Sequence, residues 1–254
     1  MTHRLRLALS GLGLAAAFVL GATAISRAAD PSVLWHIVND QCVPNQERDR
    51  DPAPCAAVSL SPDRAQGYVV LKDIVGIAQF LVMPTARISG IEDPAILAHG
   101  ATNYWAPAWE TRRNADVRLP RNLDRTEVSL AINSRGGRTQ NQLHIHVDCV
   151  RADVKAAIAA NSGAIGPRWT PFPVPFNGHA YRALRVDGET MQDIDPFRIL
   201  GATIPPQEMG QHTLVVVGAT FPGNVPGFVV FDDHGAHVSG EELQDHRCGV
   251  VFGP

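Results

Sequence analysis

Two histidines and an aspartate stand two residues apart in the stretch Gln140-Asn141-Gln142-Leu143-His144-Ile145-His146-Val147-Asp148-Cys149. Side chains alternate between the two faces of a β-strand, so one face would carry Gln140, Gln142, His144, His146 and Asp148 and the other Leu143, Ile145, Val147 and Cys149. The second face reads as core, and the first is polar throughout. Three readings fit a polar face of this kind. It is a solvated surface; or His144, His146 and Asp148 bind zinc or iron; or a neutral imidazole attacks phosphorus and carries a nucleotidyl group covalently. The last needs donors around the phosphate oxygens. Asn133, Ser134, Arg135 and Arg138, with the amides near Gly136-Gly137, supply an anion-binding turn just upstream.

The metal reading has a sequence argument for it and one against. The stretch nearly matches His-x-His-x-Asp-His, the signature of metallo-β-lactamase-like hydrolases, but Cys149 stands where that pattern has histidine.

The elements around the motif read as an antiparallel α+β pattern with few helices. Strand patterns occur at Tyr68–Leu71, Ile77–Met83, and Val128, Leu130 and Ile132 before the motif strand, then at His179–Val186, Leu214–Val217, Phe228–Phe231 and Cys248–Phe252. Asp93 and Pro94 suit the start of a helix whose apolar positions run through Ile96, Leu97, Ala101, Tyr104, Trp105, Ala108 and Trp109, with Pro107 expected to kink or end it. The aromatic stripe Tyr104, Trp105 and Trp109 is either core or a lipid-facing belt. A short helix is expected at about Asp153–Asn161, and residues 164–178, with four prolines, as a crossing loop. Residues 39–66, rich in Pro, Asp, Arg and Gln, read as a loop stapled by Cys42 and Cys55.

The N-terminus is a separate segment. Arg4 and Arg6 precede an uncharged run from Leu7 to Ile25, which as a helix would span roughly 28 Å, close to the hydrocarbon core of a bilayer. Residues 1–29 therefore read as a signal anchor, with cleavage after Ala28 as the alternative, and either exports the rest of the chain. Export makes two disulfides the expectation for Cys42, Cys55, Cys149 and Cys248, with three pairings open. A net charge of −3 over 254 residues gives no footprint for gripping a nucleic-acid backbone.

Asn133, Gly136-Gly137, Gln140, His144 and His146 stand in the order found in the histidine triad superfamily of nucleotide hydrolases and transferases. Arg87 stands where that superfamily usually has histidine. The longer strings FLVMPTARISGIEDPAIL, NYWAPAW and NSRGGRTQNQLHIHVDC resemble one branch, the bacterial CDP-diacylglycerol pyrophosphatases. The resemblance implies a histidine triad-like antiparallel sheet with one main helix. It covers most of residues 33–160 and more loosely the rest, and implies a catalytic domain over residues 30–254, divided into a core at 30–162 and a β-rich extension at 163–254. It also implies hydrolysis of CDP-diacylglycerol to CMP and phosphatidate at the bacterial inner membrane, with the domain in the periplasm and no metal or other cofactor.

Two registers of the triad are possible. Gln142, His144 and His146 put His144 at the centre, whereas His144, His146 and Asp148 put His146 there. An ungapped count back to Gln140 and Asn133 favours the second, making His146 the expected nucleophile and His144 the residue that orients and polarises. Asn133 and Gln140 would then hold phosphate oxygens, and Arg135 and Arg138 neutralise the pyrophosphate. An ionised Asp148 cannot donate a proton, but a phosphate monoester with a second pKa of about 6 leaves without much help. Otherwise Asp148 orients a neighbouring imidazole. A metallohydrolase using His144, His146 and Asp148, and a periplasmic nucleotide- or lipid-binding domain without catalysis, are the rival readings. The remaining histidines, His246 among them, receive no role.

Overall fold

The computed structural model describes residues 30–253. The anchor or signal segment expected over residues 1–29 lies outside them, and among the described residues no helix is long and apolar enough to cross a membrane. Nine strands of the described residues form one antiparallel sheet. They are β1 (Ala57–Ser59), β2 (Tyr68–Lys72), β3 (Phe80–Pro84), β4 (Val128–Ile132), β5 (Ile145–Cys149), β6 (Thr170–Pro171), β7 (Arg182–Asp187), β8 (His212–Phe221) and β9 (Val225–His234), in the spatial order β1-β2-β3-β5-β4-β8-β9-β7-β6. The helices are few: α1 (Val33–His36), which continues through a π-helical turn at Ile37–Cys42 into α2 (Val43–Asp49), then α3 (Trp105–Asp116), α4 (Ala152–Asn161), α5 (Pro196–Gly201) and α6 (Gly249–Phe252). The expected mixture of a large antiparallel sheet with few helices is present. β4 pairs with β5 on one side and β8 on the other, so the C-terminal strands continue the sheet that carries the motif.

One face of the sheet packs on α3. Phe80, Val82, Val128, Leu130, Leu143, Ile145 and Val147 share a buried cluster with Trp105 and Trp109. The two indoles meet Phe197 and Phe228 at centroid distances of 5.1 and 4.8 Å. Tyr104, Trp105 and Trp109 are therefore core and not a lipid-facing belt. The energetics explain the choice: a buried indole removes about 200 Å² from water, worth about 5 kcal/mol at about 25 cal/mol per Å².

The opposite face of β2 and β3 is covered by the N-terminal helices, through Val38, Cys42 and Val43 against Val69, Leu81 and Met83. The expected loop over residues 39–66 thus begins as helix to Asp49 and, after an irregular stretch, contributes β1 at Ala57–Ser59. Its apolar residues are few but fall on one side, and the wide turn at Ile37–Cys42 precedes Pro44, whose missing N–H interrupts the helical ladder.

Two further expectations are corrected. The single helix from Asp93 onward is two elements. Asp93 caps a 3-10 turn at Pro94–Leu97, accepting from the Ala95 N–H at 3.0 Å, and the chain restarts as α3. Pro107 lies in the first turn of α3, where an N–H has no helical partner to lose. The run Cys248–Phe252 is not a strand: Asp245 accepts from the Gly249 N–H at 2.7 Å and starts α6. The disulfides are Cys42–Cys55 and Cys149–Cys248.

Candidate active site

β5 lies between β3 and β4, with His146 opposite Leu81 and Ala131 and Asp148 opposite Ser129. His144, just before the strand, His146 and Asp148 point away from α3, yet they are only 8, 5 and 0% exposed. The polar face is not solvated. Segments remote in sequence close over it: α1, the loop after β2, and the 3-10 turn at Gly240–Leu243. Between them remains a cavity of about 350 Å³ lined by Asn133, Arg138, Gln140, His144 and His146 from the expected set. Lys72 and Glu241 also line it, as do Val33, Leu34, Ile37, Ile74, Val75 and Leu81.

The two histidines differ in hydrogen bonding. His144 Nδ1 lies 2.5 Å from the Gln142 carbonyl oxygen. A carbonyl only accepts, so Nδ1 carries the proton and Nε2 keeps a free lone pair. Burial holds the His144 imidazole below its ordinary pKa, opposed by that backbone bond. His146 has the reverse arrangement. The Gln79 amide nitrogen lies 2.7 Å from His146 Nδ1 and 3.4 Å from Glu241 Oε2, so it sits between two acceptors and donates to both. His146 Nδ1 then accepts, the proton sits on Nε2, and this buried Nε2 has no partner among the described residues. Burial, and then the neighbouring His144 and His246, hold His146 well below its ordinary pKa, so it stays neutral. The rings meet edge to face, 4.8 Å between centroids. One imidazole thus offers a lone pair and the other an unused N–H.

The other expected residues divide. The Asn133 side chain accepts from the Ser239 hydroxyl and the Gly240 N–H, both at 3.0 Å, and donates to Glu241 Oε1 at 2.6 Å. Its work is to hold Glu241 at the cavity. Gln140 accepts from the Leu34 N–H at 3.1 Å and donates to the Asp30 carbonyl at 3.0 Å, fixing the start of α1 at the rim. Arg138 is committed to Glu92 through two bonds of 2.5 and 2.8 Å and is not free to take a ligand on those nitrogens. Burial pushes the Glu92 carboxyl up, but Arg138 and Ser89 hold it below its ordinary value.

Three expected residues stand apart from the cavity. Gln142 donates to the Pro84 and Ala86 carbonyls at 2.9 and 3.0 Å, bracing the end of β3. Arg135 faces a separate surface hollow with Arg87 and Glu92. Asp148 turns sideways: its Oδ1 accepts from the Cys149 N–H at 2.8 Å and its Oδ2 meets His246 Nδ1 at 2.7 Å. Gly136 and Gly137 do not present an open nest. A Cβ on either would lie 2.1 or 2.2 Å from the carbonyl oxygens of Ala236 and Val238, so these glycines permit close packing of the 236–238 segment.

The divergence also answers the metal reading. His144 and His146 each have Nδ1 engaged, and the Asp148 carboxylate is spent on His246 and a backbone amide, so the three do not converge. Asp148 does lie close to Cys149 and Cys248, but both sulfurs are in one disulfide and cannot ligate as thiolates.

Gln79, Glu241, His246 and Lys72 were not singled out by the sequence. Gln79 and Glu241 are 162 residues apart, beyond any local pattern. His246 had one signal: pairing Cys149 with Cys248 brings Asp148, directly before the first, near His246, two residues before the second.

The profile of the CDP-diacylglycerol pyrophosphatases matches residues 29–251. The chain belongs to this family. A CDP-diacylglycerol pyrophosphatase of Yersinia pestis is 37% identical over 232 residues, which cover 89% of this chain and 87% of that relative. The matched span takes in the histidines of β5 and also Glu241 and His246, so family membership includes the C-terminal segment that closes the cavity.

Proposed function

We propose that the protein hydrolyses CDP-diacylglycerol to CMP and phosphatidate through a nucleotidyl-histidine intermediate on His144. The observation that carries this reading is the His144 Nδ1 contact with the Gln142 carbonyl, which leaves Nε2 unprotonated at the cavity. His144 Nε2 attacks the phosphorus nearest cytidine, the bond to the phosphatidyl phosphate breaks, and water then cleaves the phosphorus–nitrogen bond. The free Nε2–H of His146 donates to a phosphoryl oxygen where negative charge grows. Lys72, also at the cavity, adds positive charge near the diphosphate while its ammonium is held by the Asp73 and Gly76 carbonyl oxygens at 2.6 and 2.8 Å; burial pushes that ammonium below the ordinary value. The sequence register favoured His146 as nucleophile, and the tautomers favour the other register. Residues 30–254 act as one histidine triad-like catalytic unit in which the 163–254 extension completes the sheet and the site.

The apolar half of the cavity suits the diacylglycerol. Its rim bears Ile74, fully exposed, with Val75 and Val33 about half exposed at 48 and 45%. Asp30 is held beside this rim by Gln140, directly after the segment 1–29 that reads as an inner-membrane anchor. The disulfides accord with a periplasmic location. This rim would rest on the membrane surface while the headgroup enters the cavity. Changing Ile74 and Val75 to aspartate in a protein lacking residues 1–29 is expected to abolish sedimentation with phospholipid vesicles. Turnover of a short-chain, soluble CDP-diacylglycerol should survive. Unchanged vesicle binding would remove the rim from the account.

The catalytic reading is tested by rapid quench of the same protein with CDP-diacylglycerol and mass spectrometry of its peptides. A CMP adduct on His144 is expected. An adduct on His146 restores the other register, and ligand binding without CMP release favours a non-catalytic binding domain.

A further inference from the structure

Building on the nucleotidyl-histidine reading, we propose that Glu241, His246 and Asp148 form the acid–base relay of this site, with Glu241 as the catalytic residue and His246 and Asp148 as positioning residues behind it. Glu241 lines the cavity with His144 and His146. Its Oε1 is pinned by Asn133 at 2.6 Å, and its Oε2 lies 3.3 Å from His146 Nδ1 and 3.9 Å from His246 Nε2. His246 Nδ1 in turn meets Asp148 Oδ2 at 2.7 Å, and its backbone carbonyl accepts from the Ile77 N–H at 3.0 Å. The carboxylate–imidazole–carboxylate line thus runs from a wholly buried aspartate to the cavity wall.

A carboxylate at a pocket meant for a diphosphate repels its ligand unless a cation stands close. A protonated His246 is that cation. The aspartate hydrogen bond holds the His246 imidazole above its ordinary pKa, with burial opposing and the charges of Asp148, Glu241 and Asp73 adding to it. Asp245, His146 and Lys72 are further titratable groups facing this cluster. Together Glu241 and His246 hold one proton that can be passed to the cavity.

The chemistry balances on that proton. As His144 Nε2 attacks, the electron pair of the breaking P–O bond stays on the phosphatidate oxygen, which takes the proton from the Glu241–His246 pair. Water then attacks the phosphorus of the CMP–His144 adduct and gives a proton back to the pair. The P–N electron pair returns to Nε2, and CMP departs. A further imidazole, beyond the two histidines of the motif strand, is thus supplied from the C-terminal segment and fastened by Asp148.

The test uses the p-nitrophenyl ester of CMP, whose leaving group needs no proton, beside CDP-diacylglycerol. Glu241→Gln and His246→Gln are expected to keep the initial burst of nitrophenolate within about threefold of wild type. Later turnover should slow by about 10²-fold or more, as for loss of a general base, with the CMP adduct accumulating on His144. Asp148→Asn removes the anion that raises His246, so the alkaline limb of its kcat profile should move to lower pH. Loss of the burst together with turnover means that these residues only hold the fold, and overturns the relay, as does an alkaline limb unmoved in Asp148→Asn. A wild-type enzyme that forms no adduct on His144 with either substrate fails the parent reading, and the relay with it.

Discussion

Replacing His144 by alanine is expected to lower kcat for CMP release by about 10⁴-fold or more, the scale seen when a covalent nucleophile is removed. That corresponds to about 5.5 kcal/mol of transition-state stabilisation. The expectation follows from the tautomer: a backbone carbonyl cannot donate, so the proton is confined to Nδ1 and Nε2 is nucleophilic at all pH values where the ring is neutral. His146→Ala removes a donor to the phosphoryl oxygens and should cost less, about 10²- to 10³-fold. Steady-state kinetics of both variants on CDP-diacylglycerol distinguish the registers, because reversed magnitudes would make His146 the nucleophile. Burial holds both imidazoles below the ordinary value of 6.5, so the acidic limb of the profile should lie below pH 6.5. The same shifts bear on stability. The unfolded chain takes up protons at these histidines near pH 6.5 and the native state does so only at lower pH, so the stability they contribute is present above that pH and is lost on acidification.

The sequence carried the motif strand, its alternation and the strings that mark the family, because those signals are local. Leu143, Ile145 and Val147 went into the core as their period of two requires. What alternation cannot say is whether the polar face meets water, since that depends on what the rest of the chain lays over it. Here α1 and the 240–243 turn do so: of the five polar residues Gln140, His144 and His146 come to line a cavity, while Gln142 and Asp148 are buried outside it. Arg135 and Arg138 show the same limit: a Gly-Arg turn reads as an anion site, yet Arg138 is occupied by Glu92, 46 residues away. Asp148 was legible only as a carboxylate in an awkward place. Its partner comes from 98 residues further on, and the disulfide one residue beyond it is the link that a reader could have followed.

That disulfide leads to the second large effect. Cys149 and Cys248 are separated by 99 residues, so by the chain-entropy argument their cross-link removes roughly 4–5 kcal/mol of unfolded-state freedom. Serine at both positions is expected to lower Tm by about 10–15 °C in a domain of this size, measured by thermal unfolding. The more telling loss is catalytic. Cys149 follows Asp148 directly, and Cys248 lies two residues after His246, so the cross-link clamps both ends of the 2.7 Å carboxylate–imidazole contact. Turnover of the double serine variant, measured well below its Tm, should therefore fall toward that of His246→Gln. The Cys42–Cys55 link offers the internal control: it spans only 13 residues and neighbours the helices that form the apolar wall. Its removal should cost about 3 kcal/mol and raise KM for the lipid substrate, while the alkaline limb set by His246 stays in place. Equal kcat losses from the two variants at matched fractions folded would mean that the Cys149–Cys248 link serves stability alone.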